Sequence, residues 1–365
     1  MKGFAVALLL SLLKSVVHSQ EAECAWNGSC GDSRMSGSLF LQLQNSAPGK
    51  KVKASEPEMV SQMEPDMVKS QMGPDVVETD DADGGLAPPS PPSDPFYPPS
   101  FGDVQVGELV WSDEFEDPTG TGMVNSSKWR WDSGTQLPPS LHPANSELQA
   151  YTDRQSNSRL EDGKLKIVAK CESFASRSFT SARLHSESSA TFGPGHRIEV
   201  KASLPTGRGS WPAVWMLPTD EAYGPWPKSG EIDIVETVGC TQGKVYGTVH
   251  TDAYNHMKNT QKGNNLQLDY GSWHTYTLDW LSSGIRWYVD GELYHTFAPD
   301  TSHFSRWPFG EKFYLILNVA VGGSWGGFCL NGRAPSCSSW DEFGQEQVME
   351  VDYVRVNKLL EVVEA

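Results

Sequence analysis

Glu231-Ile-Asp-Ile-Val-Glu236, the run EIDIVE that follows Ser229-Gly230, sets three carboxylates among three β-prone aliphatics. Strict alternation along a strand sends Glu231, Asp233 and Val235 to one face and Ile232, Ile234 and Glu236 to the other, which buries a lone carboxylate beside two isoleucines. A helix scatters the acids round its cylinder at about 100° per residue, and the Ile and Val content disfavours it. One extra residue resolves the conflict. A β-bulge near Ile234-Val235 resets the alternation and turns Glu231, Asp233 and Glu236 to a common face, and bulges concentrate beside active sites.

The flanking sequence is of the same kind. From about Phe101 onward, GKLKIVAK (163–170), HRIEVKASL (196–204), KVYGTVHT (244–251), HTYTLDWL (274–281), IRWYVDGELYHTF (285–297), FYLILNVAV (313–321) and MEVDYVRV (349–356) all have strand composition. Asp290-Gly291 inside IRWYVDGELY signals a tight hairpin of the primed-turn type. No window of helical length keeps a 3.6-residue period. Many short strands with regular turn signals predict an all-β, antiparallel two-sheet sandwich in one unit, residues 101–358, with a tail over 359–365.

The N-terminal third differs. Lys2, the apolar run Phe4 to Leu13 and the small residues near Ser19 predict a secretory signal over 1–19, too short to span a bilayer, which needs roughly 20 apolar residues. Residues 20–44 form a short head with Cys24 and Cys30, and residues 45–100 repeat an acid-Pro-acid-Met-Val theme at Pro57, Pro65 and Pro74 before becoming proline-rich. Such a segment cannot bury enough apolar area to offset ordering entropy, so it reads as an acidic, disordered linker. Export to an oxidising compartment gives the Cys a structural use. Cys24 with Cys30 and Cys329 with Cys337 close small loops, which leaves Cys171 with Cys240, although the spacing does not exclude other pairings. Asn27 and Asn125 stand in glycosylation sequons.

A net charge of -17 over 365 residues disfavours nucleic acid and acidic membranes as partners. Thirteen Trp suit stacking on neutral, flat ligands such as sugar rings as well as core packing. Two carboxylates on one sheet face are what retaining glycoside hydrolysis requires: one attacks the anomeric carbon, the other protonates the leaving oxygen and then activates water. Alone, E-x-D-x-x-E is also found on solvated faces and at cation sites. The Trp- and Pro-rich blocks GSWPAVWML (209–217) and GPWPKSG (224–230), and YGTVHT (246–251) with its His, favour a sugar-binding cleft.

The run WPAVWMLP, WPKSGEIDIVETVG, GTVHT, HTYTLDW, WYVDGELYHTF, FYLILNVAVGGSWGG and VDYVRV, with NSELQAYT (145–152) and FTSARL (179–184) upstream, resembles glycoside hydrolase family 16, and within it the laminarinase-like endo-β-1,3-glucanases. The resemblance covers about Gly107 to Asn357. It implies a β-jelly-roll of two curved antiparallel sheets with a concave substrate cleft for a β-glucan. It implies Glu231 as nucleophile, Asp233 as its support and Glu236 as acid/base, with Trp226, Trp211 or Trp215, Asn145, Arg183 and His250 contacting substrate. The bulged spacing is similar to the laminarinase branch. Each contact residue also has a plain structural use: Trp215 in the core, Arg183 in an ion pair, His250 hydrogen-bonded in a strand. No cofactor is required. Some relatives hold a structural calcium, for which Asp352 and the Gly163 carbonyl are the matching groups. One departure is Phe192-Gly-Pro-Gly-His-Arg-Ile-Glu199, where relatives read F-x-Y-G-R-x-E. The expectation is a secreted, monomeric, retaining endo-β-1,3-glucanase, with a glucan transglycosylase or a β-glucan recognition protein on the same fold as alternatives.

Overall fold

A computed structural model describes residues 104–132, 145–298, 302–327, 337–340 and 346–361. The signal run, head, linker, Cys24, Cys30, Asn27 and Cys329 lie outside them. The strands, in chain order, are β1 Val104–Asp113, β2 Arg130–Trp131, β3 Gln149–Tyr151, β4 Ser158–Glu161, β5 Lys164–Phe174, β6 Arg177–Ser181, β7 Arg183–His185, β8 His196–Ser203 and β9 Ser210–Pro218. They continue with β10 Glu231–Glu236, β11 Lys244–His250, β12 Lys262–Gln267, β13 His274–Trp280, β14 Ile285–Val289, β15 Glu292–Phe297, β16 Phe313–Val321 and β17 Glu346–Glu361. The helical pieces are α1 Gly323–Gly326, α2 Cys337–Trp340 and a 3-10 turn at His256–Lys258.

Two sheets form. One has ten strands in the order β15-β14-β13-β8-β17-β5-β6-β3, with β1 on β17 and β4 on β5; the other has seven, β12-β11-β10-β9-β16-β7-β2. Pairing is antiparallel, as expected, apart from the short parallel contact between β3 and β6. The sheets meet through alternate residues: Leu165, Ile167, Ile198, Val200, Leu278 and Val354 from one, and Val214, Met216, Ile232, Val249, Leu315 and Leu317 from the other. Each such side chain contributes about 1.5–3 kcal/mol through burial. Asp290 (φ 51) and Gly291 (φ 86) close the β14–β15 hairpin with both φ values positive, as its sequence requires.

The disulfide differs from expectation. Cys171 on β5 bonds Cys337 in α2, with Cα atoms 5.4 Å apart across 166 residues. This replaces the Cys329–Cys337 and Cys171–Cys240 pairings, and Cys240 is disulfide-bonded as well. Sequence proximity misled because the closing loop joins elements that are neighbours in space, and fixing a long loop removes more unfolded-state freedom than fixing a short one. β17 also runs to Glu361, past the expected boundary at residue 358.

The bulge falls where the carboxylate pattern demands it. Against β9, Asp233 pairs with Trp215 and Val235 with Val214, so Ile234 is the extra residue. Against β11, Asp233 pairs with Thr248 and Glu236 with Tyr246. Trp287, from the opposite sheet, donates its indole N–H to the Asp233 carbonyl at 2.8 Å. Gly247, facing the bulge on β11, lets Trp287 come this close: a Cβ there would sit 2.5 Å from Trp287 Cδ1 and 2.6 Å from the Tyr294 hydroxyl.

Candidate active site

With the bulge in place, Ile232, Ile234 and Val235 all reach the core, while Glu231, Asp233 and Glu236 share the opposite face of β10. Glu231 and Glu236 line a cleft of about 240 Å³ with Trp211, Tyr246, Thr248, His250, His256 and Trp325. Each glutamate receives one indole N–H: Trp226 Nε1 donates to Glu231 Oε2 at 2.9 Å, and Trp211 Nε1 to Glu236 Oε2 at 3.3 Å. Trp226 is placed by the turn that ends at Gly230 (φ 93), where a Cβ would stand 2.8 Å from Pro308 and 2.9 Å from Phe309, so only glycine admits the chain to the start of β10.

His250, directly opposite Glu231 across the β10–β11 ladder, sets Nε2 3.7 Å from Glu231 Oε1 and 3.5 Å from Asp233 Oδ2. Its ring is flanked by Trp226 and His256, with centroids at 6.0 and 5.2 Å. Among the described residues, no Lys or Arg forms an ion pair with the three acids. Burial therefore dominates their titration. It pushes Glu231 up to about 8, with the Asp233 charge adding to it and His250, then the Trp226 N–H, opposing it. Burial alone pushes Asp233 up to about 8. Glu236 reaches about 8 through burial and then the Asp233 charge, opposed by His250 and the Trp211 N–H. Near neutrality the trio therefore shares protons instead of carrying three charges. His256 is pushed down to about 4 by burial and then by His250, so it stays neutral there.

The remaining sequence-predicted residues are less uniformly placed. Asn145 lines the cleft, and its carbonyl accepts from Ser324 N at 2.7 Å, which fixes α1. Trp215 shares the face of Asp233, but its N–H is spent on Asn318 Oδ1 at 2.7 Å. Arg183 stacks on Trp215 at 4.8 Å and is ion-paired to Asp132 at 2.8 Å. Both stand on the same sheet face beside the acids rather than around them. Asp352 is paired with Lys201 at 2.9 Å, and Gly163 occupies the β4–β5 turn with φ 71. An ammonium thus ion-pairs the carboxylate expected to hold calcium.

Trp325 was not singled out from the sequence. Its ring packs edge-on against Trp211 at 5.4 Å and Tyr246 at 5.2 Å, and so holds the indole that contacts Glu236. Its only signal is the glycine pairs of GGSWGG, of which Gly323 and Gly326 leave room for Trp211: a Cβ would stand 3.5 and 3.2 Å from it. His256, Gln261, Asn264 and Asn265 were missed because β12 and the turn before it are too polar to read as strand.

Residues 146–332 match the family model described as "Glycosyl hydrolases family 16". A β-glucanase of Rhodothermus marinus is 42% identical over 264 residues, covering 70% of this chain and 86% of that protein. A glucan endo-1,3-β-glucosidase A1 of Niallia circulans is 35% identical, but this chain spans only 41% of its length. The X-ray structure of the Rhodothermus marinus laminarinase superposes with a TM-score of 0.62 at 42% identity, covering 70% of this chain and 98% of that one.

Proposed function

The chain belongs to the glycosyl hydrolases of family 16, and we propose that it cleaves β-1,3-linked glucan internally, with retention of anomeric configuration, using Glu231 as nucleophile and Glu236 as acid/base. The observation that carries this reading is the bulge at Ile234, which turns both glutamates into one cleft with an indole N–H on each. The asymmetry of those two contacts supports the division of labour. Glu231 has the shorter N–H contact and the nearer imidazole, both of which favour its anion. Glu236 has the longer contact and keeps the proton that the leaving oxygen needs.

In the first step the Glu231 carboxylate forms a bond to the anomeric carbon as the glycosidic bond breaks, and the Glu236 proton goes to the departing oxygen. In the second, Glu236, now ionised, takes a proton from water, whose oxygen displaces Glu231 from the sugar. Asp233, buried beside the nucleophile, holds proton density in the trio so that only one glutamate needs to be charged at a time. Trp226, Trp211 and Trp325 give apolar ring faces for pyranose stacking. The Cys171–Cys337 disulfide supports export to an oxidising compartment, and no described helix is long and apolar enough to cross a membrane.

Reducing-end release from laminarin, with lichenan in parallel, tests the reading. Release from laminarin is expected. Binding of laminarin without release would favour the transglycosylase or recognition alternatives.

A further inference from the structure

We propose that Glu231, Asp233 and His250 form a binding site for one divalent transition-metal ion, Zn²⁺ in particular, and that the ion reversibly blocks the cleft. The metal site stands on geometry; only the blocking rests on the proposed function. One ligand atom from each residue lies within 4.8 Å of the other two. The two edges that meet at His250 Nε2 measure 3.7 and 3.5 Å. A tetrahedral zinc site with bonds of about 2.0–2.2 Å has edges of about 3.3–3.6 Å, so these need little closure. The third edge, between the two carboxylate oxygens, is within 4.8 Å and closes as the ion draws them in.

A second observation points into the same space. Asp233 is only 3% exposed, and its Oδ2, which faces His250 Nε2, accepts no hydrogen bond. An acceptor buried without a donor is costly, and a cation at this point would satisfy it. The donor set selects the metal. Calcium takes roughly 6–8 oxygens and magnesium prefers a hydrated octahedron, whereas one imidazole nitrogen with two carboxylates suits Zn²⁺ or Cu²⁺. The fourth position opens to the cleft through Glu231, where water binds or a sugar hydroxyl competes. His250 Nδ1 has no hydrogen-bond partner to orient the ring, so the affinity is on the order of micromolar rather than that of a structural zinc site. An ion on the Glu231 carboxylate holds the electron pair that attack on the anomeric carbon would use.

The test is a Co²⁺ titration of the chelator-treated full-length chain followed by visible absorption, with Zn²⁺ displacement. One equivalent with a tetrahedral d–d band is expected, and His250→Gln and Asp233→Asn should each weaken binding at least about tenfold. Glu236→Gln, outside the ligand set, should bind like the parent and control for folding. No binding up to about 100 μM, or parent-like binding by both ligand variants, overturns the site. Saturating Zn²⁺ should suppress laminarin hydrolysis, with recovery in EDTA; full activity of the zinc-loaded protein overturns the blocking. A chain that binds Co²⁺ as expected but never cleaves laminarin would sink the glucanase reading and leave the metal site standing.

Discussion

On the outer face of the ten-stranded sheet, Asp279 lies under a two-point grip from Arg197, with Nε–Oδ1 at 2.6 Å and Nη2–Oδ2 at 2.8 Å. On β4 of the same sheet, Glu161 takes hydrogen bonds from Lys166 and then Arg159, which pull it down to about 2. On the cleft face of the seven-stranded sheet, Glu231, Asp233 and Glu236 are pushed up to about 8. Glu161 and the cleft acids titrate in opposite directions because the outer face gives Glu161 two cations and the cleft gives its acids burial and one another. Carboxylates with a cation on each oxygen are poor nucleophiles and poor acids. Those of the cleft are kept without one, at a cost in stability that the bulge and the core beneath it sustain.

The largest break in this contrast comes from removing the nucleophile. Glu231→Gln should lower laminarin turnover by on the order of 10⁴-fold or more while leaving glucan binding intact, measured by reducing-end release and affinity electrophoresis. On the other face, Arg197→Met leaves Asp279, fully buried, without its partner. It should cost about 3–5 kcal/mol and lower Tm by about 10 °C, with kcat unchanged at temperatures where the protein stays folded. A loss of kcat without a loss of Tm would mean that the two faces are not independent. Trp226→Phe keeps the ring but removes the N–H from Glu231, and should cost about tenfold in kcat/KM, with the limb of the pH profile set by the nucleophile moving to higher pH.

The smallest effect sharpens the contrast through stability. Glu236 titrates at about 8 when folded and near 4.5 as a free side chain. The folded chain therefore binds the extra proton between these values, and its stability falls as pH rises through that window. Glu236→Gln removes this share of the loss. Its Tm should match that of the parent near pH 4 and exceed it by about 2–4 °C near pH 8, read by calorimetry. An advantage at pH 4 that vanished at pH 8 would reverse the sign and refute the burial argument.

Much of the fold is legible in the sequence because alternation on a half-buried strand leaves a strong mark. HRIEVKAS, HTYTLDW and the two arms of IRWYVDGELYHTF become β8, β13, β14 and β15 with boundaries close to those read from composition. EIDIVE was more informative still, since the misfit of its alternation located the bulge that the register shift places at Ile234. Elements built from polar residues were not legible. β12, KGNNLQ, is a largely exposed strand whose partner is supplied by β11, so its own composition carries no signal. The Trp287 indole under Asp233 and the Cys171–Cys337 bond join residues far apart in sequence, and nothing local to either end announces them.

The central claim is that the bulge makes Glu231 a nucleophile and Glu236 its acid/base partner in a retaining site. Proton NMR of the first products released from a laminari-oligosaccharide, recorded before mutarotation, tests it most directly. The new reducing end should appear first as the β-anomer and equilibrate afterwards. An α-anomer formed first would mean that water attacks directly from the opposite face and that Glu231 is not the nucleophile.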